Sequence, residues 1–243
     1  AYEIRNCDWS SDVCSSDLDR LEDMGLMMTK EKLDKQRDVV RNELRQSVEN
    51  APYGKAGEML FALMFAEGHP YHTGVIGTHE DLEAANVNNV KDFFSTFYVP
   101  SNASLVVAGD FKSDEIKPLV AKLFGTLAAG QPVTRKYAAP AEAVPVKLAG
   151  VRRFTCIDKV QLPKVQLSYC SPHAFAEGDA EMGLAAQVLA MGKSSRLYKR
   201  LVIDEQLAAE VSAAQQGFPL AGILSIDVLA RPEADLRRVE AIV

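Results

Sequence analysis

The sequence predicts an α+β protein made of two mixed units. Three observations carry this. Strand-like and helix-like stretches come in segregated runs rather than in alternating βαβ order. The 243 residues are 47% apolar and 25% charged, an ordinary globular composition with enough apolar side chains for a sizeable core. Residues 126–150, rich in Ala, Pro and Val and without a period, separate the runs as an extended connector.

Residues 1–18, AYEIRNCDWSSDVCSSDL, are set apart first. DWSSDVCSSDL looks like an in-frame translation of a short-read sequencing adapter. AYEI looks like the start of the same oligonucleotide, with barcode residues between. Such a scar is excluded from fold reasoning. It is expected to pack poorly, Trp9 included. The natural chain then begins at about Asp19, with its upstream part missing. Glu3, Asp8, Asp12 and Asp17 against Arg5 supply half of the net charge of −6, so the rest is only mildly acidic. That excludes a basic nucleic-acid surface. Cys7 and Cys14 fall in the same segment. Cys156 and Cys170 remain, and both read as small buried side chains in strand-like sequence. No apolar run reaches the ~18 residues of a membrane span.

The elements follow in order. Thr29 caps a long helix to Asn50, in which Leu33, Val40 and Leu44 keep helical spacing. Pro52, Tyr53 and Gly54 break it, and a second helix covers 55–66. GHPYHTGVIG is a loop. Thr78 and Asp81 form a capping box for a short helix through Ala85. Val90, Phe93, Phe94 and Phe97 mark another, up to Tyr98. ASLVVAG (103–109) reads as a buried strand central to the first sheet, because LVV is apolar on both faces. A helix from Ser113 to Phe124 ends at Gly125. Beyond the connector come strands near 152–157 and 164–170, a helix over 179–191, a break at Gly192, and a helix capped by Ser194 or Ser195 through Ile203. Strands at 208–215 and 221–230 and a last helix from about Glu233 complete the chain.

Little chemistry is legible from the residues alone. Gln36 and Glu43 lie seven residues, or two turns, apart on one helix face, where an acid is usually just solvated. His69 and His72 sit at i, i+3 but Pro70 intervenes, so they read as loop residues. His79 and His173 are isolated. There is no phosphate loop, no G-x-S-x-G and no Cys/His nucleophile pair.

Longer stretches say more. LDKQRDVVRNELRQSVENAPYG, then GHPYHTGVIGTHEDLEAANVNNVKDFFSTFYVPSNASLVVAGDF, then GKSSRLYKRLVIDEQLA, resemble the insulinase and pitrilysin metallopeptidase family, which includes mitochondrial processing peptidase. The resemblance runs from Asp19 to Val243 and is densest over 34–111 and 192–208. It implies two similar α+β domains, each a sheet with helices packed on one face. It assigns 19–125 to the C-terminal part of the catalytic zinc domain, 126–150 to a linker and 151–243 to a truncated, non-catalytic second domain. It implies a zinc-dependent endopeptidase acting on peptides or unfolded polypeptides, with a second family half or a homodimer partner. The alternative is a non-catalytic subunit of such a complex. The bacterial periplasm is favoured over the cytoplasm.

The family's H-x-x-E-H motif supplies two zinc ligands and the general base, and no such motif occurs here. The third ligand, a glutamate in a pattern like QRDVVRNE, maps onto Glu43, with Gln36 as the polar residue supporting it from behind. A lone carboxylate cannot hold zinc, so the chain as it stands is expected to be metal-free and inactive. The Arg and Tyr that anchor substrate in single-unit members correspond to Val202 and Ala209, as in the second domain of double-length members; single- and double-length parents both stay open.

Overall fold

Short helices and, among the described residues, one three-stranded antiparallel sheet make up the secondary structure, seen in a computed structural model that describes residues 21–133 and 148–243. These residues divide into two units, one comprising 21–42 and 77–133, the other 43–76 and 148–243. Residues 43–76 thus group with the C-terminal part, although the expected layout placed them with the first unit. The adapter-like residues 1–18, Trp9 among them, and residues 134–147 of the connector lie outside the described residues.

In the first unit local sequence signals write the helices. Helix α1 spans Lys30–Leu44. The Thr29 hydroxyl accepts from Lys32 N at 3.3 Å, as its predicted capping role requires. Helix α3 (His79–Ala84) opens on the expected capping box, with Asp81 N donating to Thr78 Oγ1 and Thr78 N to Asp81 Oδ2. Helix α4 (Val87–Phe97) begins earlier than its phenylalanines suggest, because Asn86 and Asn89 build a second box. Helix α5 (Ser113–Phe124) ends at Gly125 as predicted.

The strand expected over 103–109 is not there. The segment carries no regular secondary structure, and no partner strand exists among the described residues of this unit. Leu105 is 48% and Val106 78% exposed. An apolar run becomes a strand only when a neighbour takes its backbone bonds. Residues 129–130 of the connector are pinned instead. Ser101 N donates to Ala129 O at 2.9 Å, and Gly130, at φ +76, passes so close to Val99 that a Cβ there would clash.

The second unit holds helix α2 (Gly54–Met64) and the sheet of β1 (Lys164–Ser171), β2 (Ala208–Gly217) and β3 (Gly222–Ala230), in order β1-β3-β2 and antiparallel throughout. Central β3 alternates as a strand with one covered face should. Ile226, Val228 and Ala230 join Ala190, Leu197, Leu201, Val211 and Val239 in the main core. That core is closed by helix α6 (Asp179–Ala190), a π-helical segment (Tyr198–Asp204) and helix α7 (Leu236–Ile242). Gly192, at φ +78, ends α6 as expected. Ser195 stands at the cap of the next helix, its carbonyl accepting from Lys199 N at 3.0 Å, while its hydroxyl donates back to Gly192 O at 2.8 Å. Helix α7 starts at Leu236, later than expected, because Asp235 is the residue whose carboxylate accepts from Arg237 N and Arg238 N.

On the other face of β3, Ile223 meets Met64 and Phe65 from the end of α2 in a smaller cluster with Phe61, Tyr71 and Phe218. Further along that face the pairs are polar: Ser168 and Ser225 share a hydrogen bond at 2.9 Å, and Lys164 reaches Asp227 at 2.6 Å. The strand expected at 152–157 also fails to form. Val151 is 85% and Ile157 98% exposed, and the segment is held only by side chains. Arg152 donates to Leu63 O and Arg153 pairs with Glu240. Cys156, expected to be buried, is exposed with it; Cys170 in β1 is partly buried.

Candidate functional site

Helix α1 presents two chemically different faces. Asp34, Arg37 and Arg41 lie on one. Arg37 Nε donates to Leu82 O and Nη2 to Ala85 O, both at 2.7 Å, filling carbonyls that the end of α3 leaves without partners. Asp34 bonds Lys30 and Arg37, which holds its carboxyl below the usual range, and Arg41 pairs with Glu83. This face is a fastening for α3.

The other face carries Gln36, Val39 and Glu43, one helical stripe at i, i+3 and i+7. All three are exposed, Val39 by 53%. By helical rise, Gln36 and Glu43 are about 10 Å apart along the axis. The α-helix gives way to a π-helical turn at Arg45–Glu49, and the Ser47 hydroxyl donates to Glu43 O at 2.7 Å. π-Turns inside helices often lie at functional positions. Nothing in the sequence announces this one.

The donor set does not by itself suit zinc. Among the described residues no three His, Cys, Asp or Glu side chains are grouped so as to hold a metal ion. The histidines have local duties: His69 Nδ1 accepts from Tyr71 N, His72 Nδ1 meets Phe65 O, and His173 Nδ1 meets Ala174 O. A zinc centre needs three protein ligands and an open position, so Glu43 can be at most one part of one.

The second region singled out by sequence lies in the other unit. Val202, in the π-helical segment, packs against the main core. Ala209 is exposed and is the extra residue of a bulge, since Ala208 pairs with Ala230 and Glu210 with Leu229. Gln206 between them takes φ +52, a left-handed conformation that few residues other than glycine adopt. A π-segment, a left-handed residue and a bulge thus fall within twelve residues, 198–209. Bulges of this kind re-aim side chains, and here the re-aimed side chain is a methyl group. Sequence reasoning found the two positions but not the backbone geometry. No turn or bulge residue flags it, since Gln stands where glycine would have been the signal.

The family described as Peptidase M16 inactive domain matches residues 84–243, across the connector. Zinc protease PqqE of Helicobacter pylori is 29% identical over 177 residues, which are 72% of this chain and 39% of that protein. The uncharacterized zinc protease ML0855 of Mycobacterium leprae is 27% identical over 198 residues, 81% of this chain and 43% of its own length. The chain therefore spans less than half the length of the curated relatives it matches. A crystal structure of a protease from Helicobacter pylori superposes with a TM-score of 0.76 at 24% identity, over 96% of this chain and 56% of that one. The periplasmic protease PqqL of Escherichia coli gives a TM-score of 0.63 at 20% identity, over 84% of this chain and 22% of its own. Both structural likenesses concern the fold. With a family match that covers well over half its length, the chain belongs to the peptidase M16 family.

Proposed function

We propose that this chain is part of a zinc-dependent metalloendopeptidase, in which residues 19–125 finish the catalytic domain, 126–150 link, and 151–243 form the second, non-catalytic domain. Glu43 is the third zinc ligand and Gln36 supports it from behind. One observation supports this above the others. An exposed carboxylate stands on α1 beside an exposed valine, on the face that does not fasten α3. An exposed valine next to a potential ligand suits a surface that another helix covers. The ligand pair and general base come from an H-x-x-E-H helix that this chain does not contain. The chain alone is therefore inactive. In the whole enzyme the metal-bound water is the nucleophile class such a site supplies.

The relatives' names, zinc protease in both curated cases, support the reaction class. The periplasmic neighbour supports an extracytoplasmic setting. No helix of the described residues is long and apolar enough to cross a membrane. The substrate is a peptide or unfolded polypeptide, and a second family half or second copy completes the chamber. Val202 and Ala209 offer neither a guanidinium nor a phenol, so the substrate anchors of the whole enzyme lie elsewhere.

The test is the gene from an independent read, followed by expression of the complete protein. An H-x-x-E-H upstream, one bound zinc and peptidase turnover are expected, and Glu43→Gln should abolish both metal and turnover, because an amide is a much poorer ligand. One zinc and full turnover in the Glu43→Gln enzyme would sink the assignment. A complete gene without H-x-x-E-H would favour the non-catalytic subunit.

A further inference from the structure

We propose that the His-Pro-Tyr-His loop (69–72) is an acid-released clasp on the β2–β3 hairpin, with the His69 imidazole as its latch. The hairpin's turn, Phe218 to Ala221, is the outermost part of the sheet that α2 and its following loop grip. The grip has two steps. Tyr71 N donates to His69 Nδ1 at 3.0 Å, which fixes the loop's shape. Tyr71 then reaches the hairpin: its hydroxyl accepts from Leu220 N at 3.1 Å, and its ring meets Phe218 at 5.4 Å between centroids.

The latch step works with only one protonation state. A backbone N–H can only donate, so Nδ1 must be bare and the ring proton must sit on Nε2. The ring is stacked on Phe65 at 4.7 Å and 18°, and Phe65 is 1% exposed. Tyr71 meets the ring edge-on at 5.1 Å. A second proton has to go onto Nδ1, where the Tyr71 N–H already points. Two donors then face one another and the bond is lost.

No carboxylate acts on the ring to hold the cation. The hairpin turn presents Phe218, Pro219, Leu220 and Ala221, none of them charged. From α2 the packed group is Phe65. On the loop the ionisable neighbours are Glu67, Tyr71 and His72, and His72 is engaged with Phe65 O at 2.8 Å. Burial alone moves the His69 pKa, downward from 6.5, with no carboxylate acting against it. A folded pKa below the unfolded one means that the unfolded or opened loop takes up the proton first. The clasp is therefore intact above about pH 6.5 and weakens as pH falls below that.

The test is amide exchange at Tyr71 and Leu220 in the full chain, at about pH 7.5 and about pH 5, corrected for intrinsic rates, in the wild type and in His69→Asn. Asparagine offers an acceptor oxygen near the Nδ1 position and does not titrate. The wild type should lose protection several-fold at the lower pH while His69→Asn keeps it. An equal loss in both proteins would overturn the clasp. Nitrogen-15 NMR of the wild-type imidazole decides independently, should the variant fold poorly. A bare Nδ1 at neutral pH, titrating below the ordinary imidazole value, is expected. A protonated Nδ1, or titration at or above that value, would overturn it.

Discussion

Every deeply buried side chain among the described residues lies in the second unit, from Leu44, Met64 and Phe65 to Val228 and Val239, and none lies in the first. The helices of the two units are nonetheless equally well formed. In the first they rest on capping boxes, on Arg37 filling the end of α3, and on short ion pairs. In the second they rest on a sheet that gives them an apolar face to cover. Local signals can thus set where a helix starts and stops without providing anything to pack it against. Burial contributes most of a domain's stability, so the two units should respond to perturbation on different scales.

The largest expected difference is between matched truncations. Leu201 is fully buried in the second unit, and Leu201→Ala should cost about 2–5 kcal/mol in chemical unfolding. Val106→Ala in the first unit, at an extended position 78% exposed, should change stability by less than about 0.5 kcal/mol. Equal costs would mean that 103–109 is a buried strand after all.

That pair of residues also marks how far the sequence could be read. The apolar runs at 105–107, 165–170 and 223–230 look alike as text. The last two became strands because β3 lies between two partners. The first, and the run at 152–157, found no partner among the described residues. Caps needed no partner, so Thr78, Gly125 and Gly192 were placed correctly from local chemistry. Asn86 and Asp235 follow the same rule, and each starts its helix by accepting from backbone N–H groups of the first turn. The candidate site was legible in a narrower sense. Residue spacing put Gln36 and Glu43 on one face, and the helix does that. Their proposed roles rest on resemblance, since a glutamate exposed on a helix is by itself unremarkable. The geometry at 198–209 left no mark, because Gln206 is not a glycine and a π-turn has no composition.

A smaller effect sharpens the view that the first unit depends on its caps. Thr78→Ala and Asn86→Ala should each cost about 1 kcal/mol and fray α3 or α4, visible as faster amide exchange in their first turns. The second unit should not respond. Loss of protection in β3 from either change would show that the two units share stability.

Acid should act next, and locally. Glu205 is held below its usual value mainly by hydrogen bonds from Arg238, and Glu240 by its bond from Arg153. Both pairs fasten α7. A folded pKa below the unfolded one gives stability that is present above about pH 4.5 and is lost as pH falls through the folded value. Exposed ion pairs contribute little, so a modest loosening of α7 is expected there. Glu205→Gln should remove most of that pH dependence, and an unchanged acid profile in the variant would assign it to other groups.

The smallest expected effect is at Glu43. In the chain as it stands, Glu43→Gln should leave unfolding within about 0.5 kcal/mol of the parent, because the side chain is exposed and, among the described residues, the Ser47 hydroxyl meets its backbone oxygen rather than its carboxylate. The same change should be decisive in the complete enzyme, where the carboxylate is proposed to sit on zinc. That contrast separates a ligand from a structural acid. A fold-supporting glutamate would lose stability in both proteins, an ordinary surface acid would lose nothing in either, and a ligand loses metal and turnover only where its fellow ligands are present. Thermal or chemical unfolding of the short chain, set beside metal content of the long one, distinguishes all three.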